Sequence, residues 1–386
     1  MRFGTPQLKQ VLTGSFTHRY VVDVIKDGSR ALRDVPVTNV RLTDSGASLV
    51  QSTGSLTIVY QGDFADSVAP SRIGDILAPF GTRLIVYALI TAGPGFQERV
   101  ALGHYLITGA PKIRTTRFQY QGAGAVKGDL IDLTIGDLFA GVQWDRFDIP
   151  GVAPDLTSVW KEYQRLVGLP VTRTVADAAI PTAVAYQEDK LQACYDLATV
   201  LDGVAYMTAD GTASMRPNVW PAAVDTLHSG DVNGDGTPVK AGATSDGTLV
   251  DVVPSLANDN VYNAVVVRGN SQDASTIVLA TAEVTDGPLR VRNQDGSLSP
   301  YRRKPYFYSS QYVTTQAQAD AYAQQMLPRV SRLRSITYDL VETFNPLREV
   351  GDVLTVRRLG QAFTCRITDI SRDAGATQTV TVAVNP

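Results

Sequence analysis

The residues best able to ligate a metal or move a proton near neutral pH are the three histidines, His18, His104 and His228. None belongs to a His-Glu-x-x-His pair or a comparable ligand set. The sequence holds no Gly-x-Ser-x-Gly elbow, no Gly-x-x-x-x-Gly-Lys phosphate loop and no dinucleotide fingerprint. Cys194 and Cys365 lie far apart in different local patterns, which argues against a disulfide framework or a four-ligand metal site and for two small buried apolar residues. The most explicit coordination pattern is Asp231, Asn233 and Asp235 with Gly236, the first half of a calcium loop. Its twelfth position is Gly242, where such a loop needs a bidentate Glu, so the pattern is read as a solvated Asp/Gly turn, with a weak structural calcium site as the alternative. The expectation is a protein that is not an enzyme, with no catalytic residues, cofactor or metal.

Tyr301, Arg302, Arg303, Lys304, Tyr306, Phe307 and Tyr308 mix cations with aromatics. Such a mixture suits a protein interface, a strand entry with a solvated basic end, or base stacking, ranked in that order. The ranking rests on charge: the chain of 386 residues has a net charge of −3, whereas phosphate binding relies on clustered Lys and Arg. With 44% hydrophobic and 19% charged residues, it reads as an ordinary globular protein of about two to three domains. No run approaches the ~20 apolar residues of a membrane span, and Met1-Arg2-Phe3 does not open a signal peptide, which leads to an expectation of folding in a cytoplasm.

The elements that would position these residues are mostly strands. In residues 1–150, an N-terminal β-barrel-like domain, Tyr20, Val22 and Val24 alternate with Val21, Asp23 and Ile25 before the turn pair Asp27-Gly28. Strand runs follow at Leu56–Tyr60, Arg83–Ile90, Glu98–Thr108 and Thr116–Gln121, after a short helix at Gln7–Leu12. Residues 151–250 read as a small α/β domain. One helix carries Leu156, Val159, Trp160, Tyr163 and Leu166, with Asp155 as cap and Gly168 as stop. A second carries Leu191, Cys194, Ala198 and Leu201, and a hairpin turns at Asp210-Gly211. Residues 225–248 read as a Gly/Asp-rich surface loop. Residues 251–386 form a C-terminal β-barrel-like domain with one helix opened by the capping box Thr315/Gln318 and ended or kinked at Pro328. Its strands alternate through Ile336, Tyr338 and Leu340, then Phe363, Cys365 and Ile367, then Val380, Val382 and Val384.

An internal echo links the two ends. Gly81, Leu84 and Val86 recur as Gly351, Leu354 and Val356, and each strand is followed by one ending Ile-Thr, at Ile107-Thr108 and Ile367-Thr368. The fold class is therefore mainly β, two barrel-like β domains flanking a small α/β domain.

The run Val261-Tyr262-Asn263-Ala264-Val265-Val266-Val267-Arg268-Gly269, the helix start Thr314 to Asp320, Asn345-Pro346-Leu347 and Gly351-Asp352-Val353-Leu354 follow one another in a telling order. Together they resemble the tail-tip hub proteins, or minor tail proteins, of long-tailed actinobacterial bacteriophages. The N-terminal third is similar through Asp34-Val35-Pro36-Val37, Pro79-Phe80-Gly81 and Leu102 to Ile107. The resemblance implies a homotrimer whose paired barrels make a pseudo-sixfold ring at the tail tip of the virion. Its partners would be a distal tail or tail tube protein, the tape measure protein and other tail-tip or fibre proteins. DNA would pass without specific binding, and no stable membrane insertion is implied. Because the chain stops at Pro386, right after the last strand, cell-wall cleavage and host recognition are expected in other proteins. The alternative is a carbohydrate-binding tail-tip adhesin, for which Trp144 and Trp220 are the aromatic candidates.

Overall fold

A computed structural model describes residues 1–61, 67–120, 123–181, 185–240, 242–255, 261–270, 277–309, 313, 315–331 and 337–384. Gln121, Thr314, Ile336 and Pro386, named above, lie outside the described residues. In chain order the elements are α1 (Pro6–Leu12), β1 (Thr17–Lys26), β2 (Ser29–Ser45), β3 (Ser52–Tyr60), β4 (Arg83–Ala92), β5 (Phe96–Tyr120), β6 (Ala123–Asp137) and α2 (Phe139–Trp144). Then come β7 (Gly151–Val152), α3 (Val159–Val167), β8 (Ala185–Tyr186), α4 (Lys190–Val200), β9 (Gly203–Met207), β10 (Ala213–Pro217), β11 (Asp225–His228) and β12 (Leu249–Ser255). The chain ends with β13 (Ala264–Asn270), β14 (Ile277–Glu283), β15 (Pro305–Ser309), α5 (Gln316–Ser331), β16 (Thr337–Thr343), β17 (Val353–Arg358), β18 (Gln361–Arg372) and β19 (Thr377–Val384).

The protein is mainly β and divides into two compact units, Met1–Asp251 with Leu340–Ala362 and Arg366–Val380, and Val252–Asp339 with Phe363–Cys365 and Thr381–Pro386. In the first unit the strands run β1-β4-β5-β6-β3-β2, and β2 pairs back onto β1, closing a ring of six. The hairpin at Asp27-Gly28 starts that closure, with Lys26 opposite Ser29 and both turn residues at positive φ. Alternation fills the ring: Val22, Val24, Leu56, Ile58, Leu84, Val86, Ile131 and Leu133 are buried in one cluster. Irregularities around Asn39-Val40 in β2 and Ala110-Pro111 in β5 flank the directly paired Leu56 and Leu133. Bulges of this kind bend strands enough to close a small barrel.

A second path runs β11-β17-β18-β19-β16-β12, and the bridge Ser229–Leu249 brings the ends of β11 and β12 together. The sequence echo falls on equivalent places in the two rings. Gly81 and Gly351 both have positive φ, at +80° and +96°, just before β4 and β17. Leu84, Val86, Leu354 and Val356 are all fully buried. The Ile107 N–H donates to the Thr82 carbonyl at 3.1 Å, and the Ile367 N–H donates to the Asp352 carbonyl at 2.8 Å. The two rings meet in one antiparallel ladder, with Ile370 opposite Asp44 and Arg372 opposite Leu42.

The insert packs α3 and α4 around Trp160, Tyr163, Leu191 and Leu197, beside the β9–β10 hairpin. The second unit contains the sheet β14-β13-β15, whose Val265 and Val267 pack against Ala319, Ala323 and Val330 of α5.

Several expectations change in detail. Ser158, not Asp155, caps α3, because Asp155 turns back to accept from Thr157 and pair with Lys161; Gly168, at φ +60°, ends the helix as read. The described residues of the runs Glu98–Thr108 and Thr116–Gln121 form one strand, β5, which pairs with a further strand, β6. The loop read at 225–248 contains β11, which pairs in parallel with β17. The capping box at Thr315 and Gln318 forms in both directions. The helix nevertheless continues through Pro328 to Ser331, since Leu327 and Val330 pack in the same cluster as Ala319 and Ala323, and that packing outweighs one missing helical hydrogen bond.

The echoing glycines give a graded expectation. Gly81→Ala should cost about 1–2 kcal/mol for a left-handed alanine. Gly351→Ala should cost more, because its Cβ would also lie 2.9 Å from Arg216 Cδ. Urea denaturation of both variants checks the order; equal losses would contradict it.

Candidate functional site

The site with the most organised chemistry is the junction of the two rings and the insert. Dry-face positions there carry charge: Asp44 continues the buried series Val40 and Leu42, and Glu342 lies between buried Leu340 and Phe344. Arg372 follows Ile370 in the same way, and all three charged residues are buried. Arg372 pairs with Asp44 across the β2–β18 ladder and donates to the Arg348 carbonyl at 2.7 Å. Arg348, itself 1% exposed, pairs with Glu342 at 3.0 Å and Asp225 at 2.7 Å, and Gln378 donates to Glu342 at 2.8 Å. Arg2 donates to the carbonyls of Pro346, Arg348 and Leu102, tying the 345–348 turn to the first ring.

The insert joins the same junction. Gln51 donates to the Ala205 carbonyl at 2.9 Å and to Tyr195 Oη at 3.0 Å, and it accepts from Arg216. Arg216 also donates to the Val350 carbonyl, while Arg366 donates to the carbonyls of Pro217 and Asn218. A polar cavity of about 150 Å³ remains, lined by Arg2, Asp44, Gln51, Arg216, Glu349 and Asp352 among others.

Burial opposes ionisation of Asp44, but the Arg372 and Arg2 charges and hydrogen bonds from Ser52 and Arg372 outweigh it and hold its carboxyl below the ordinary value. Asp137, at the end of β6, accepts from the Ser52 and Phe139 N–H groups without a cation beside it. Burial pushes its carboxyl up to about 7.

The residues singled out in the sequence do not converge. His18 stacks on Phe344 with ring centroids 3.9 Å apart, Gly211 approaches the His104 ring, and His228 contacts the Val232 carbonyl and Asp246. Asp235 accepts from the Thr237 amide and hydroxyl, Asn233 donates to Thr237, and Asp231 accepts from Ser229. The same Asn-x-Asp-Gly-Ser/Thr turn recurs at Asn293–Ser297, where Asp295 accepts from the Ser297 amide and hydroxyl. The hydrogen bonds of the half calcium loop are thus those of a turn motif that this chain uses twice. Among the described residues no cluster of three or more His, Cys, Asp or Glu side chains could hold a metal.

In the 301–308 run, Tyr308 stacks on Tyr322 and Tyr306 meets Tyr262, so Phe307 alone of its three strand aromatics is exposed. Arg303 pairs with Glu283 at 2.5 Å. Asn263, fully buried, bonds the Arg302 carbonyl and the Lys304 amide, which holds the turn before β15. Trp144 is exposed and Trp220 half-buried.

The whole architecture has precedents. A tail protein from Neisseria meningitidis MC58 superposes with a TM-score of 0.57 at 13% identity, covering 95% of this chain and 96% of that one. The 43 kDa tail protein of prophage MuSo2 from Shewanella oneidensis gives 0.54 at 13% identity, covering 95% and 98%. The chain has the fold of a phage tail protein. The tail-protein fold extends at a TM-score of 0.52 and 8% identity to a chain of the half-lidded Francisella PdpA–VgrG complex, covering 98% of this chain and 61% of that one. No protein-family model matches the sequence, and no curated protein is significantly similar to it.

Two expectations test the junction. Arg372→Met should cost about 3–5 kcal/mol by leaving Asp44 charged and unpaired, and adding Asp44→Asn should recover much of that loss. Chemical denaturation of the single and double variants decides, and a double variant as unstable as Arg372→Met would contradict the pairing. For Asp137 the folded pKa lies above the ordinary 3.8, so its contribution is present below about pH 4 and lost as pH rises toward 7. Asp137→Asn should remove that slope; a stability difference from wild type that stays constant from pH 4 to 8 would contradict it.

Proposed function

We propose that this chain is a structural hub of a phage tail tip or baseplate. The observation that carries the reading is the duplicated six-strand ring within one chain, aligned at Gly81 and Gly351 and joined by a ladder with one buried face. Two similar rings per chain turn a threefold assembly into one with six similar faces, the symmetry needed to meet a hexameric tube. The tail-protein fold supports this.

On this reading three copies close a ring that joins the distal tail or tail tube protein to more distal tail-tip or fibre proteins, with the tape measure protein above it. DNA passes through without being held, which the net charge of −3 suits. The protein acts in the virion after synthesis in the host cytoplasm, in a phage of actinobacteria. The chain divides functionally into barrel, insert and barrel, with the expected boundaries 1–150, 151–250 and 251–386 shifted so that β11, from Asp225, goes with the second barrel. Its role is structural rather than enzymatic.

Native mass spectrometry over a range of concentrations, together with the copy number in purified particles, tests the assembly. A trimer, or three copies per virion, is expected. A chain that stays monomeric and is present at one or six copies would contradict the hub.

A further inference from the structure

The longest hairpin in the protein outgrows the ring that carries it. β4 pairs with β5 only as far as Leu106, and β3 pairs with β6 only from Asp129 onward, yet β5 and β6 remain paired as far as Tyr120 and Ala123. From Thr116 and Gly128 outward, the hairpin is therefore a two-stranded ribbon with no third strand on either edge in these pairings. Such a ribbon is marginal alone in water and presents unpaired backbone groups. Its charge leans positive: from Gly109 to Gly128 the sequence holds Lys112, Arg114, Arg117 and Lys127 and no acidic residue, and the nearest carboxylates, Asp129 and Asp132, lie at its base opposite Thr115 and Lys112. Lys112, Arg114 and Arg117 are exposed, and among the described residues their side chains make no ion pair or hydrogen bond.

The complementary charge sits on the other ring. Between Asp225 and Asp251, the segment that joins β11 to β12, the only cation is Lys240, while Asp231, Asp235 and Asp246 are exposed. We propose that the cationic β5–β6 hairpin of one copy docks on the acidic β11–β12 segment of the next copy. The inference rests on the trimeric reading above. If each chain contributes two rings to a closed cycle, every contact between copies joins the first ring of one to the second ring of its neighbour. The hairpin belongs to the first ring and the acidic segment to the second, so one heterologous contact repeats around the cycle and closes it. Attraction between exposed charges sets register and encounter rate and weakens as salt rises.

The full chain serves for the test, with mass photometry at 50 and 500 mM salt and circular dichroism as a folding control. Lys112→Glu/Arg114→Glu/Arg117→Glu should stay folded and lose the trimer. Asp231→Lys/Asp246→Lys should lose it too, and the chain carrying all five changes should regain it; Asp235 is spared because its carboxylate holds both the amide and the hydroxyl of Thr237, whereas the Asp231 and Asp246 carboxylates meet the side chains of Ser229 and His228, contacts whose loss the folding control monitors. Wild-type trimer should decline at the higher salt. A hairpin variant that remains trimeric, or a five-fold variant that stays monomeric, overturns the docking while leaving the trimer intact. A wild type that never self-associates fails the trimeric reading itself. Fluorescence anisotropy with a short mixed-sequence DNA duplex covers the rival occupant: duplex binding lost in the hairpin variant, with assembly unchanged, assigns the hairpin to nucleic acid instead.

Discussion

The ion pair between Arg372 and Asp44 sits where the two rings share their one ladder, and the relation of one ring to the other depends on it. Neither residue is a good core residue by itself. Each is tolerated because the partner is present and because Arg372 also satisfies the Arg348 carbonyl. Replacing such a pair by apolar residues is often no less stable, so its value lies elsewhere. A slip of the β2–β18 ladder by one residue would strand a buried charge, whereas a purely apolar seam would accept several registers. The pairing therefore fixes geometry more than it adds stability, which is the property a scaffold of repeated units requires.

Around that pair the junction has grown by recruiting backbone carbonyls. Arg2, Arg216 and Arg366 donate largely to main-chain oxygens of turns at Pro346–Gly351 and Pro217–Asn218. Arginine suits this task because its planar fork reaches several acceptors at once and keeps its charge when buried. Turn carbonyls thereby gain donors, and the insert bonds to both rings without sharing a sheet with either.

Much of the fold was legible because it rests on local rules. Period-two alternation marked β1, β18 and β19, Asp27-Gly28 marked the first hairpin, and Gly168 marked the end of α3. The echo of Gly81 in Gly351 was legible because a left-handed turn into a strand needs the same residue in both rings. What failed was non-local. Only the barrel's curvature unites β5 across Pro111, and only the packing of α5 carries it past Pro328. The junction was missed although a signal existed. Asp44, Glu342 and Arg372 each fall on the apolar phase of their strands, and a charge in that phase must find an opposite charge in the fold. The motif residues Asn263 and Asn345–Leu347 stood out by resemblance before their work was visible. Asn263 holds the turn at Arg302–Lys304, and the 345–348 turn receives Arg2. The Asn-x-Asp-Gly-Ser/Thr repeat at 233–237 and 293–297 was also legible, and both copies close the same hydrogen-bonded turn.

The buried Arg372–Asp44 pair is expected to hold the β2–β18 ladder closed until the whole structure unfolds. Native-state hydrogen exchange at the amides of Ile370–Arg372 and their partners in β2 tests it most directly, because amides that open only with the whole structure report its full unfolding free energy. These seam amides should be as strongly protected as those of Leu84–Val86 in the first ring and Leu354–Val356 in the second. Seam amides that exchange by a separate, lower-energy opening, while both rings stay protected, would show two independent barrels and contradict it.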